Sequence, residues 1–142
     1  MKKRNFFQYF SDCVTRDYFN FSGRARRMEF WSYWLIYILI TIGTSVLADT
    51  FGTQDLIGGN EQLWVIFIPI LLGFIPLLAA ATRRMHDLGK SGTMLLVYLI
   101  PFIGGLWLLI LLLSDGQDGT NRYGQNPKAP AIPDEINLIG VE

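Results

Sequence analysis

The sequence predicts an all-α membrane protein in which an N-terminal interfacial amphipathic helix precedes three transmembrane helices. Two observations carry that prediction: three long uncharged runs, and a one-sided distribution of Lys and Arg around them. Residues 30–48, 63–81 and 93–113 contain no Asp, Glu, Lys, Arg or His, and each run has 19 to 21 residues. At about 1.5 Å rise per residue such a run covers about 28 to 31 Å, the thickness of a hydrocarbon core. Backbone N–H and C=O groups in lipid must pair within their own segment, so each run is read as a helix. Apolar residues make up 51% of the chain and the mean hydropathy is +0.30, which leans away from an ordinary soluble domain.

The opening MKKRNFFQYF is basic, but polar QYFSDCVTRD follows where a signal peptide needs an apolar core, so no cleaved signal is expected. Residues 5–21 place Phe7, Phe10, Val14, Tyr18 and Phe21 at helical spacing, with Gln8, Ser11, Asp12, Thr15 and Arg16 mostly opposite, which predicts a helix over about 5–19. Behind Lys2, Lys3 and Arg4, that pattern reads as an amphipathic helix in the headgroup region, and packing of its aromatics against the spans is compatible with it. Cys13 is the only cysteine, which excludes an internal disulfide, and it reads as a small apolar residue on that helix.

Asn20 to Gly23 then break the helix, with Ser22 available as the next N-cap. The first span follows, with Arg24, Arg26 and Arg27 at headgroup depth and Phe30, Trp31, Tyr33 and Trp34 as an aromatic belt. Glu29 sits at the lip of the hydrocarbon, where an unpaired carboxylate is costly, so a contact with Arg26, Arg83 or Arg84 is expected. The second span carries Pro69, Gly73 and Pro76 near one face and should bend there. The third is interrupted by Pro101 and Gly104-Gly105. Two halves of about ten residues are each too short to span, so a kinked single crossing is expected, with a re-entrant hairpin as the alternative. Residues 1–127 read as one integral-membrane domain. Residues 128–142 read as a flexible tail after a stretch rich in Gly, Asn, Asp and Pro.

Ten of the twelve Lys and Arg residues lie before the first span or between the second and third. The loop between spans one and two holds Asp49, Asp55 and Glu61 and no base. The positive-inside rule then predicts a cytoplasmic N-terminus and, with three crossings, an external C-terminus that leaves Arg122 and Lys128 outside.

The segment RRMHDLGKSG, residues 83–92, holds the only histidine and is where chemistry has to be sought. It is not a phosphate-binding P-loop, because position 84 is Arg where that motif needs Gly, and a membrane helix precedes it in place of a strand. His86 and Asp87 are adjacent, so on a helix they diverge by about 100° and make a poor acid–base pair. Arg83 and Asp87 are four apart and are expected to pair. One His and one Cys assemble no metal-ligand set, and DGQDGTN departs from Ca²⁺-loop spacing. No catalytic residue, metal or cofactor is therefore expected, and Asn20-Phe-Ser is a glycosylation sequon in form only, on the cytoplasmic side. Two readings of the loop stay open. In one, Arg24, Arg27, Arg83, Arg84, Lys90 and Ser91 capture an anionic lipid phosphate beside a rim network of Glu29, His86 and Asp87. In the other, it is a basic turn with Gly89 as helix C-cap and Ser91 as the next N-cap.

FSGRARRMEFW, RRMHDLGKSG and GTNRYGQNP, in that order and spacing over residues 6–127, together resemble the YhaH/YhaI-like small bacterial inner-membrane proteins, domain of unknown function 805. The resemblance implies a multi-pass protein of the bacterial inner membrane with no established activity and no catalytic residues to carry over. The longer acidic first loop and longer tail depart from that pattern. The expected function is non-enzymatic: interaction, or anionic-lipid binding through the Arg/Glu/His rim, with lipids, a second copy or another membrane protein as partners and no nucleic acid. A subunit of a transport or channel complex is the alternative, weakened for a coupled transporter by the absence of ionisable groups within the spans.

Overall fold

The computed structural model describes residues 5–50 and 62–129, all of whose named elements are helical. The acidic loop from 51 and the tail from 130 lie outside the described residues, and so does most of the expected flexible segment. Helix α1 is Phe6–Val14, α2 is Arg27–Thr50 and α3 is Gln62–Asp87; a 3-10 segment, Gly92–Leu99, and helix α4, Gly104–Leu113, follow. Among the described residues, α2 and α3 are long and apolar enough to cross a membrane, over Arg27–Ala48 and Phe67–Asp87. They turn Leu39, Ile42, Val46, Ile68, Leu71 and Phe74 outward, an apolar surface that water would penalise and lipid would not.

Helix α1 is shorter than the sequence suggests. Gln8 Oε1 accepts from the Asn5 N–H at 2.9 Å to start it, and residues 15–19 are turn. Tyr9 and Cys13 are buried while Phe7 and Val14 are exposed, so one side of the helix packs and part of the expected apolar stripe stays outward. Phe10 stacks on Tyr33 of α2 with ring centroids 5.6 Å apart.

Helix α3 runs through Pro69 and Pro76, and α2 and the segment after α1 attach beside Pro76. Pro76 has no N–H for the carbonyl four residues back, that of Leu72. Tyr18 Oη donates to that carbonyl at 2.6 Å, Tyr33 Oη to Gly73 O at 2.8 Å and Tyr37 Oη to Ile70 O at 3.0 Å. A side chain at Gly73 would overlap the Tyr37 ring, so its absence is what lets α2 close onto α3. Below this junction the core is built from Cys13, Phe30, Tyr33, Ala80, Ala81 and Met85 with Leu111 and Leu112 of α4.

The third apolar run corrects the sequence reading. It is a hairpin: the 3-10 segment runs out, residues 100–103 reverse, and α4 runs back. Eight residues at about 2.0 Å and ten at about 1.5 Å give arms of about 16 and 15 Å, each half a hydrocarbon core, so the chain returns to the level it left. At the tip the Ile103 N–H donates to Pro101 O at 2.7 Å, the Gly104 N–H to Ile100 O at 2.9 Å, and Phe102 takes the left-handed conformation, φ 66°. The shortness that disfavoured two separate crossings is what a hairpin requires. Gly104 closes it, since a Cβ there would lie on the Val97 carbonyl. Gly104→Ala is expected to lower stability by about 1–3 kcal/mol in thermal unfolding in detergent. Gly105→Ala, whose Cβ would meet only the Tyr98 ring at 3.8 Å, should cost nothing measurable.

Candidate functional site

The three stretches that stand out in the sequence converge at the end of the molecule where α2 begins and α3 and α4 end. On the last turn of α3, adjacent side chains point about 100° apart, and this divides the work of the two arginines. Arg83 turns toward α1 and α2. Its Nη2 donates to Glu29 Oε1 at 2.7 Å and to Cys13 Sγ at 3.7 Å, and its Nη1 to Asn20 O at 2.7 Å and Asp17 O at 3.2 Å. Of the three candidate partners for Glu29, the structure thus selects Arg83 for a close ion pair.

Arg84 turns the other way, toward the returning chain. It donates to Leu112 O at 3.3 Å, to Ser114 O and to Asp87 Oδ2. Arg27 reaches the same Ser114 carbonyl at 3.0 Å. Two guanidiniums therefore cap the C-terminus of α4, where the helix dipole is negative and carbonyls lack helical donors. The expected Arg83–Asp87 pair does not form. Asp87 lies between Arg84 and Arg24, with Arg24 Nε 2.9 Å from Oδ1. Side chains of Arg24, Arg83 and Arg84 are 1%, 3% and 0% exposed, so these are interior ion pairs.

Residues 114–127 form a plate over this cluster. Arg24 donates to the carbonyls of Gln117, Gly119 and Gly124, and Arg26 to that of Pro127. The Gln117 N–H donates to Asp87 O at 2.8 Å, and Gly116 lets the chain pass over the Asp87 carboxylate, where any Cβ would overlap it. Asn121 and Gly124 exchange backbone hydrogen bonds at 3.1 and 3.0 Å, and Asn121 Nδ2 donates to His86 O at 2.9 Å. The His86 ring stacks on Tyr123 at 3.7 Å and 5°, and its Nδ1–H donates to Gly23 O at 3.1 Å. Gly89, φ 70°, and Ser91 hold the expected caps: the Lys90 N–H donates to Met85 O at 2.9 Å, and Ser91 Oγ accepts from the Thr93 N–H at 3.3 Å.

Electrostatics outside the spans agree with this packing. Burial pushes the Cys13 thiol up to about 12, helped by the Glu29 charge and opposed by Arg83, so it stays a neutral thiol near pH 7. Burial works against the Asp17 carboxylate, yet the Asn20 hydrogen bond with Arg83 and Arg16 holds it below the usual range. Asp115 is held low by its hydrogen bond from Lys128 and by Arg27. Among the described residues no three His, Cys, Asp or Glu side chains gather as a metal site. Of the six residues expected to bind an anion, Arg24, Arg27, Arg83 and Arg84 are turned onto acceptors of the protein itself, while Lys90 and Ser91 stand together at the base of the hairpin. Sequence reasoning missed Gln117 and Tyr123. Tyr123 lies in GTNRYGQNP, noticed as a motif and given no role, and Gln117 just before it in DGQDGTN, weighed only as a Ca²⁺ loop.

The family model described as "Protein of unknown function (DUF805)" matches residues 18–125. The chain belongs to this family. The inner membrane protein YhaI of Escherichia coli (strain K12) is 40% identical to it over 115 residues, 81% of this chain and 92% of YhaI. The inner membrane protein YhaH of the same strain is 37% identical over 115 residues, 81% of this chain and 93% of YhaH. No solved structure matches the chain. The DUF805 match covers the first two converging stretches and the third as far as Gln125, within the plate.

Removing the shared carboxylate leaves two buried guanidiniums facing each other. Asp87→Asn is expected to destabilise by about 3–5 kcal/mol in thermal unfolding and to make the plate the first segment cut by protease. Asp115→Asn, which removes an exposed carboxylate, should leave both readouts near wild type.

Proposed function

We propose that the protein is a non-enzymatic, two-pass protein of the bacterial inner membrane, with a re-entrant hairpin and a cytoplasmic plate that engages a partner. The observation that carries this is the sorting of charge once the hairpin returns the chain. Arg122 and Lys128, the two bases that a single crossing leaves outside, join the face that holds the other seven described bases. All nine described bases then lie on one face, which the positive-inside rule makes cytoplasmic. The names of the relatives support the inner membrane as the location. The outward Phe7 and Val14 of α1 support its lying in the interface.

A non-enzymatic role is supported by how the acid–base groups are held. Asp87 sits between two guanidiniums, and His86 is stacked and tied to a backbone carbonyl, so neither is poised to move a proton to or from a substrate. One observation favours a transport or channel subunit: the non-helical turn and the N-terminus of α4 lie at about half the depth of the core, the pattern of broken helices in transporters. The absence of ionisable side chains from residues 93–113 weighs against ion coupling there. A reporter active only in the cytoplasm, fused after the C-terminus, is expected to be active. A silent fusion paired with an active periplasmic reporter would overturn the topology and with it the cytoplasmic plate.

A further inference from the structure

The described residues include nine Lys and Arg side chains, and six have a carboxylate partner: Arg16, Arg24, Arg27, Arg83, Arg84 and Lys128. A seventh, Arg26, is chelated to the Pro127 carbonyl. Lys90 and Arg122 remain, without a carboxylate partner among the described residues, and the fold brings them together. Arg122 Nη2 donates to the carbonyl of Gly89, the residue before Lys90, at 3.4 Å. Its guanidinium lies 4.7 Å over the Tyr123 ring, which is stacked in turn on His86. That support holds the charge at the surface without neutralising it.

Their depth matters as much as their charge. Lys90 follows the C-cap of α3 and stands two residues before the apolar arm, whose Leu96, Tyr98 and Leu99 are exposed. Two cations at the foot of an outward apolar face match the two halves of a phospholipid: a phosphate at headgroup depth and acyl chains along the arm.

Resting on the topology given above, we propose that Lys90 and Arg122 bind the phosphate of an anionic phospholipid whose chains lie along the Gly92–Leu99 arm. The anion-binding role thereby narrows to one of the residues the sequence suggested for it and passes to Arg122, which was not among them. The arginines of the rim hold the fold, and this pair faces the bilayer.

The test uses the full-length protein in mild detergent, offered equal amounts of phosphatidylglycerol and phosphatidylcholine and examined by native mass spectrometry. Wild type should retain phosphatidylglycerol in excess. The Lys90→Gln, Arg122→Gln double variant should lower the ratio of the two adducts by up to about thirtyfold, while Lys90→Arg with Arg122→Lys should preserve it. Arg16→Gln with Lys128→Gln, which removes as much charge elsewhere on the same face, should leave the ratio unchanged. An unchanged ratio in the first variant, or an equal loss in the last, overturns the proposal. Since binding in detergent does not depend on orientation, a silent cytoplasmic reporter refutes the topology alone and an unchanged lipid ratio refutes the lipid site alone.

Discussion

A carboxylate shared by two buried guanidiniums is the constraint on which the rest of this structure depends. Arg24, Arg83 and Arg84 are interior, and the carboxylates facing them are Asp87 and Glu29. Charges of that kind are tolerated only when every donor finds an acceptor. Here the balance comes from the chain that follows the hairpin: the Leu112 and Ser114 carbonyls at the negative end of α4, and those of Gln117 and Gly119 in the plate. The hairpin and the cluster therefore require each other. A single crossing would carry Ser114 about 30 Å away and leave Arg84 with one carboxylate and no cap to make.

The same economy of partners appears higher in the molecule. Pro76 withholds a donor from the Leu72 carbonyl, and a tyrosine from the segment after α1 supplies one. The proline turn is thus a docking point, with Gly73 removing the side chain that would keep Tyr37 out. Packing of α1 and α2 against α3 through hydroxyl-to-carbonyl bonds suits a bilayer, where apolar contact alone gives helices little preference for each other over lipid.

Much of this was legible in the sequence, for reasons that can be named. The long apolar helices α2 and α3 announce themselves by uncharged length, and the Glu29–Arg83 contact follows from position, because a carboxylate at the end of an apolar run must find a base at that level. Gly89 and Ser91 were readable as caps from residue type. The hairpin was not decidable locally: Pro101 and Gly104-Gly105 suit a kink and a reversal equally, and the choice is made by Arg84 and Arg27 meeting Ser114 from distant parts of the chain. The partner of Asp87 was misread because spacing along one helix was given more weight than Arg24, which comes from another element. For a related reason the sequence did not show that α1 packs through Tyr9 and Cys13, which are chosen by what lies beneath them.

The central claim is that the plate returns to the face of the membrane that carries Arg24 and Arg84. The most direct measurement places cysteines at the stacked pair, His86→Cys with Tyr123→Cys in a Cys13→Ser background, and treats native membranes with a short bifunctional maleimide. Rings stacked at 3.7 Å predict rapid intramolecular bridging, seen as protection of both thiols from later labelling and a single linked peptide. If the two positions instead remain unbridged and react with membrane-impermeant reagents from opposite sides, the chain crosses a third time and the account is wrong.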